Sequence, residues 1–390
     1  MRFLTAGESH GPGLTVIVDD FPAGVPVSSD ILNRDLYRRQ QGYGRGGRMK
    51  IESDTAEFKA GVRFNKSTGA PISLWIENRD FKNWTAIMAA EGKPTDEKSF
   101  VRPRPGHADL AGYYKYGHSD LRDVLERASA RETTARVAAG ALAKALLLEL
   151  GIELTCHVSN LGGIEIPESE LPKTFEALRD YVENNDLRAG GSEKTLSEIR
   201  TLIDNARNEG TTLGGEIEVI AVGLPPGLGS YTQWDRKLDG QLAQAVMSVH
   251  AVKSVSIGAG DEGHITVGKN FHDPIIKGTK ANTITRPSNK AGGLEGGVSN
   301  GMPLVVKAVM KPISTMITPL PSINLATGEA EEAHFERSDV TAVPACGVIC
   351  EAMVAITLAR AVLDKFGHDS LVEIKRNLES YKATLKPLPV

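Results

Sequence analysis

Two stretches of this chain, residues 127–150 and 344–366, are apolar on most of a helix's circumference, and a helix without a polar face has to be covered by other layers. Runs such as Val137-Ala-Ala-Gly-Ala-Leu-Ala143 and Ala352-Met-Val-Ala-Ile-Thr-Leu358 are built largely from small residues. Each stretch is followed by a glycine, Gly151 or Gly367, where a left-handed C-cap is expected. Strands able to supply the covering layers recur in matched pairs. Residues 13–18 (GLTVIV) read as a strand that ends in Phe21-Pro-Ala-Gly24, and Ser28 and Ser29 then cap a helix to about residue 41. Residues 215–222 (GEIEVIAV) repeat the strand, end in Leu224-Pro-Pro-Gly227 and lead to a helix over about 233–249. In the same way 69–76 (GAPISLWI) is echoed by 301–308 (GMPLVVKA). The expectation is an α+β fold: an internally duplicated unit with a layer of central helices sandwiched between two antiparallel β-sheets. A single domain over 1–390 would contain pseudo-repeats at about 1–170 and 211–390, with the amphipathic segment 172–209 as a helical insertion.

Charge narrows the function. With 45 Lys and Arg against 49 Asp and Glu, the chain is net acidic, which disfavours a general nucleic-acid binder. Cys156, Cys346 and Cys350 form no Cys-x-x-Cys pair and read as reduced core residues. No metal-ligand spacing is seen. The N-terminus reaches charge and glycine before an apolar run develops, and nowhere do 18 apolar residues run together, so a cytoplasmic location is expected.

Against that acidic background, residues 38–50 (RRQQGYGRGGRMK) place five cations on a segment with four glycines. Arginine's planar fork suits carboxylate and phosphate oxygens, and glycine lets the backbone approach a ligand, so the tract reads as an oxyanion site or as a solvated Arg/Gly loop. Residues 42–47 and 258–263 both satisfy G-x-G-x-x-G, yet the first follows a helix and the second leads into a strand-like alternation, which is the wrong setting for a dinucleotide fold. An RNA contact lacks the interleaved aromatics it needs.

Further polar groups gather in loops. His10 stands in Gly7-Glu-Ser-His-Gly11, and His107 in Arg102-Pro-Arg-Pro-Gly-His-Ala-Asp109, where two arginines put positive charge beside the ring and favour its neutral form. Residues 126–136 (ERASARETTAR) open the first apolar helix with Arg131 and Glu132 in its first turns, where free N–H groups would seat an anion. Lys311-Pro-Ile-Ser-Thr315 and Arg337-Ser-Asp339 add cations, hydroxyls and a carboxylate before the last apolar helix. The loops at 40–50 and 83–104 are the candidates for closing over a site.

Together GESHG, RRQQGYGRGGRMKIE, RPGHAD, ERASARETTARVAAG, GLEGGVSNG and RSDVTAVPA closely resemble, in the same order and over essentially the whole chain, the chorismate synthase family. The resemblance implies a homotetrameric lyase of the shikimate pathway that eliminates phosphate from 5-enolpyruvylshikimate 3-phosphate and requires reduced FMN in a redox-neutral reaction. It implies that Arg39, Arg45, Arg48 and Arg131 hold substrate anions, with Arg39 and Arg45 also able to meet NADPH in relatives that reduce their own flavin. His10 would be the general acid for the leaving phosphate, His107 would face the flavin, and Asp339 would assist the flavin N5 in taking the ring proton. FMN contacts are implied at Ala130, Arg131, Glu132, Ala251, Val252, Gly296, Lys311, Pro312, Ile313, Ser314, Thr315 and Arg337. Residues 250–257 (HAVKSVSI) read as lining for a planar ring. No segment resembles a reductase domain, so flavin reduced by an external flavin reductase is expected, with NADPH serving only indirectly. The rival readings are an NAD(P)H-flavin oxidoreductase and an anion- or RNA-binding protein.

Overall fold

The computed structural model describes residues 1–45, 54–93, 95, 97–278, 284–336 and 339–385. Strands β1 (Arg2–Ala6), β2 (Gly13–Asp19), β3 (Ala56–Ala60) and β4 (Ile72–Glu77) form an antiparallel sheet in the order β1-β2-β4-β3. A second antiparallel sheet is built from β5 (Glu153–Leu161), β6 (Ile164–Glu165), β7 (Gly215–Val222), β8 (Val252–Ile257) and β9 (Leu304–Met310), in the order β8-β9-β7-β5-β6. Each sheet has alternating burial along its strands, as Val16 and Val18 in β2 and Ile217, Val219 and Ala221 in β7 show, so each turns one face to the interior. The strands matched in sequence occupy comparable places: β2 pairs with β4 (Gly13 opposite Glu77), and β7 pairs with β9 (Gly215 opposite Met310).

Between the sheets lie α1 (Ser29–Gln40), α4 (Glu132–Leu148) and α8 (Val343–Phe366), with α7 (Leu238–Met247) and α9 (Leu371–Thr384) against α8, while α2 (Asp109–Tyr116) and α3 (Arg122–Ala128) pack on each other ahead of α4. The small residues have a clear purpose here: a Cβ built on Gly140 would stand 2.3 Å from the Ala352 Cβ, so α4 and α8 cross at backbone distance. The interior of that layer is not purely apolar. Lys144 Nζ lies 2.5 Å from Asp35 and 2.6 Å from Glu351, and Arg38 donates two bonds of 2.8 Å to the Glu351 carboxylate. Helix α8 is long and apolar enough by composition to cross a membrane, yet it is almost wholly buried as the core helix of this layer.

Helix boundaries differ from the sequence reading in three places. The stretch 127–150 is two helices, α3 and α4, separated at Ser129–Arg131, where Ser129 takes an extended ψ of 144°. The helix expected over 233–249 is a 3₁₀ turn at Trp234–Arg236 followed by α7. Gly151, at φ 76°, closes α4 in the expected way, since Ile152 N–H bonds the Leu147 carbonyl and Gly151 N–H that of Leu148. Gly367 instead has φ 107° and ψ 166°, a positive φ that suits glycine but not the left-handed cap.

The segment between β6 and β7 of the second sheet carries α5 (Phe175–Glu183) and α6 (Glu193–Asn208), capped by the hydroxyls of Thr174 and Ser192. It braces the start of the Arg/Gly tract. Tyr43 donates from its hydroxyl to Asp204 (2.8 Å) and from its N–H to the Asp186 carbonyl (2.8 Å), and a Cβ on Gly44 would meet Ile203 at 2.9 Å.

Candidate anion-binding and acid–base site

Successive helical residues point about 100° apart, so the two arginines that end α1 serve different neighbourhoods. Arg38 turns into the core onto Glu351, Asp35 and Glu183; burial acts to lower its guanidinium, but Glu351 and then Asp35 outweigh it and hold it well above the ordinary value. Arg39 turns the other way. It is 7% exposed, donates to the Thr133 hydroxyl (3.0 Å) and the Ala130 carbonyl (2.8 Å), and has Asp54 at 4.0 Å. Burial, against the pull of Asp54 and helped by the charges of Arg45 and Arg131, pushes its guanidinium down to about 10. Arg45 pairs with Asp339 at 2.9 Å and Arg131 with Asp54 at 3.1 Å, so among the described residues three guanidiniums share two carboxylates. Arg48 and Arg337 lie outside the described residues.

The break between α3 and α4 is where these groups meet. Ser129 Oγ lies 3.0 Å from Ser9 Oγ, the Ala130 carbonyl holds Arg39, and Arg131 reaches Asp54. The anion seat expected from free N–H groups at this helix start is not what the backbone offers. The N–H groups of Glu132, Thr133 and Thr134 already bond the carbonyls of Ser129, Ala130 and Arg131 (3.2, 3.1 and 2.9 Å), leaving the guanidiniums as the candidate anion-binding groups. Glu132 accepts from Thr5 (2.9 Å) and Arg136 (2.8 Å), and Arg136 continues to Ser248 beside the 250–252 segment.

Both loop histidines rest on carboxylates. His10 is 3% exposed; its backbone N–H donates to Glu126 Oε2 (2.7 Å), its Nδ1 lies 2.8 Å from Glu126 Oε1, and its ring stacks on Trp84 at 3.7 Å. Arg122 stands 3.5 Å from Glu126 and 3.1 Å from Glu336. The hydrogen bond from His334, opposed by burial and aided by Arg122, holds the Glu336 carboxyl down at about 2. His107 Nδ1 lies 2.5 Å from Asp109, and Arg104 grips the same carboxylate at 2.8 and 2.9 Å. Burial acts to raise the Asp109 carboxyl, but His107 and Arg104 together hold it far below the carboxylate range. The surroundings of His107 are therefore not the purely cationic ones read from the two arginines: Asp109, two residues on, faces the ring and occupies Arg104.

The loop carrying His107 packs on Lys311–Thr315. Lys311 Nζ donates to the Gly106 carbonyl (2.7 Å), Arg104 to the Thr315 hydroxyl (3.2 Å), and a Cβ on Gly106 would lie 3.6 Å from that of Ser314. Lys311 N–H bonds the Ala251 carbonyl (3.0 Å), which joins Ala251 and Val252 to the group, while Thr212 fixes the Ile313 carbonyl (2.7 Å) beside Pro312. Burial, then Lys253, lowers the Lys311 ammonium. His250 was missed as a polar group by the sequence reading. It is half-buried, its Nδ1 finds no hydrogen-bond partner among the described residues, and burial with the charges of Arg136, His107 and Arg39 lowers its basicity against the pull of Glu132. The signal available was one imidazole in an otherwise apolar run. Gly296 stands apart, in a hairpin lining a groove of about 560 Å³ with Ser256, Ile257 and Lys290. That groove is at the Ile257 end of β8, whereas Lys311 meets the chain at the Val252 end, roughly 17 Å away at strand rise.

Comparison with known proteins agrees over the whole length. The family model described as chorismate synthase matches residues 1–363. Chorismate synthase of Aquifex aeolicus is 50% identical over 98% of this chain and 97% of its own, and that of Streptococcus uberis 51% identical over 98% of both. A solved structure titled "Crystal Structure of Chorismate Synthase" superposes with a TM-score of 0.78 at 41% identity, covering 97% of this chain and 96% of that one. These relatives lend no support to the oxidoreductase or RNA-binding alternatives.

Proposed function

Because the chain belongs to the chorismate synthase family, the lyases that convert 5-enolpyruvylshikimate 3-phosphate to chorismate and phosphate on the route to aromatic compounds, we propose that its arginine cluster seats that substrate and its two histidine loops serve the elimination. The observation that carries this reading is Arg39, a buried guanidinium pushed down to about 10 by burial and by two other guanidiniums. Guanidiniums gathered this closely suit a polyanion, and the substrate brings a phosphate and two carboxylates. Arg39, Arg45, Arg48 and Arg131 hold those groups. In an anti 1,4-elimination a ring C–H and the C–O bond to phosphate are broken, so one proton has to be taken up and the departing phosphate stabilised. His10 protonates the phosphate as it leaves, and Asp339, held by Arg45, assists removal of the ring proton.

Reduced FMN supplies electron density to this elimination while the reaction stays redox-neutral overall. The residues fit such a group: the buried Nδ1 of His250, the Lys311 ammonium, the Thr315 hydroxyl and the small Ala251 converge where His107 is held by Asp109. Ala130, Arg131, Glu132, Ala251, Val252, Lys311, Pro312, Ile313, Ser314, Thr315 and Arg337 would hold it, with His107 against it. The separation of Gly296 from these residues within one chain favours its being supplied by a second copy, in keeping with a homotetramer. The flavin arrives reduced from a separate reductase, which fits a cytoplasmic enzyme, and NADPH enters only through that step.

With oxygen excluded, substrate and enzyme are expected to release phosphate and form the conjugated diene only when FMN is supplied reduced. Turnover without reduced flavin would overturn the cofactor assignment, and steady NADPH oxidation by the enzyme and FMN alone would overturn the dependence on an external reductase.

A further inference from the structure

We propose that Glu126 is the positioning residue of His10, holding the proton on Nδ1 so that Nε2 is the atom through which this ring exchanges a proton. The proposal rests on the reading of His10 as the acid. One carboxylate takes two donors of the same residue: Oε2 accepts the His10 backbone N–H at 2.7 Å and Oε1 faces Nδ1 at 2.8 Å. A carboxylate beside Arg122 only accepts, so the ring nitrogen facing it must donate, and the neutral imidazole then has its acceptor at Nε2. Both side chains are buried, at 4% and 3% exposure, so water does not compete for that bond. The ring plane is fixed as well as its tautomer. Trp84 stacks on it at 3.7 Å and is itself tied by Nε1 to Asp80 (2.9 Å), and Asn78 holds the Gly11 carbonyl at 2.8 Å on the far side of the loop. Among the described residues, charged groups facing this pair include Arg122, Glu336 behind it, and Lys98, whose Nζ lies 3.7 Å above the Trp84 ring. The arrangement recurs at the other histidine, where Asp109 meets Nδ1 of His107 and Arg104 holds Asp109.

Two measurements test it. Solid-state nitrogen-15 NMR of histidine-labelled wild type, differenced against His10→Asn, reads the tautomer directly and needs neither substrate nor flavin; the expected spectrum of neutral His10 has Nδ1 protonated and Nε2 bare. A double-mutant cycle in kcat then asks whether Glu126 acts through His10. Glu126→Gln is expected to lower kcat by about 10- to 100-fold with KM little changed, and to cost nothing further in the His10→Ala background. A neutral His10 that carries its proton on Nε2 and leaves Nδ1 bare in the wild type, or a Glu126→Gln loss that persists undiminished once His10 is gone, overturns the proposal. Full kcat in His10→Ala overturns the acid reading itself, a failure distinct from that of the tautomer. If Glu126→Gln does not fold, the wild-type spectrum alone decides.

Discussion

Arg38 and Arg39 are neighbours in sequence with opposite duties. Arg38 helps neutralise Glu351, 313 residues away, inside the helical layer, and without it Lys144 alone would face the buried Asp35 and Glu351 carboxylates. Arg38→Ala is therefore expected to lower the free energy of unfolding by about 3–5 kcal/mol, read from urea midpoints. Arg39→Ala removes a guanidinium that the fold does not neutralise fully; its expected effect is a rise in substrate KM of at least about tenfold, the worth of a charge-assisted hydrogen bond, with a much smaller shift in the urea midpoint. Equal effects on stability would refute this division. The tract as a candidate anion site could be read because six cations against one anion between residues 34 and 50 is a local property. Which arginine does which could not, since Glu351 is remote and no spacing encodes it. Asp109 is the opposite case: it stood two residues from His107 in plain sight, and counting only the arginines hid it. His250 was hidden by its apolar neighbours.

At the scale of elements, periodicity located α1, α8 and the strands β2, β4, β7 and β9 but not α2, α9, β1, β3, β5 or β8, and the break at Ser129–Arg131 lay in a run of good helix formers. What interrupts the helix is tertiary: Ser9, Arg39 and Asp54 each claim a group at those three residues. Local propensity loses there to the needs of the site. The crossing of α4 and α8 shows the same conflict with the opposite outcome. On an exposed helix Gly→Ala is worth about 1 kcal/mol of stabilisation, but at Gly140 the new methyl would be 2.3 Å from Ala352 Cβ. Gly140→Ala is therefore expected to destabilise the protein by about 1–3 kcal/mol in urea unfolding, the cost of an overpacked core. A stabilising result would mean that the two helices can part without loss.

For the whole molecule, the α+β layering was legible because two all-apolar helices need cover on both sides. The route of the chain between the layers was less so. Strand β5 precedes the helical insertion but pairs with β7 beyond it, Val158 opposite Ile217, while α8, from the end of the chain, packs on α4 from its beginning. Neither half thus encloses its own interior: fragment 1–173 keeps α4 without α8, and fragment 174–390 keeps β7 without β5. Chain cleavage at the exposed Lys173 is expected to yield pieces that are insoluble when expressed singly and active when expressed together, with anaerobic phosphate release as the readout. Soluble, folded single fragments would show that the halves are autonomous. If the expectation holds, the threading of β5 makes this enzyme a two-part genetic switch, in which growth without added aromatic compounds reports whether two separately encoded polypeptides have met in the same cell.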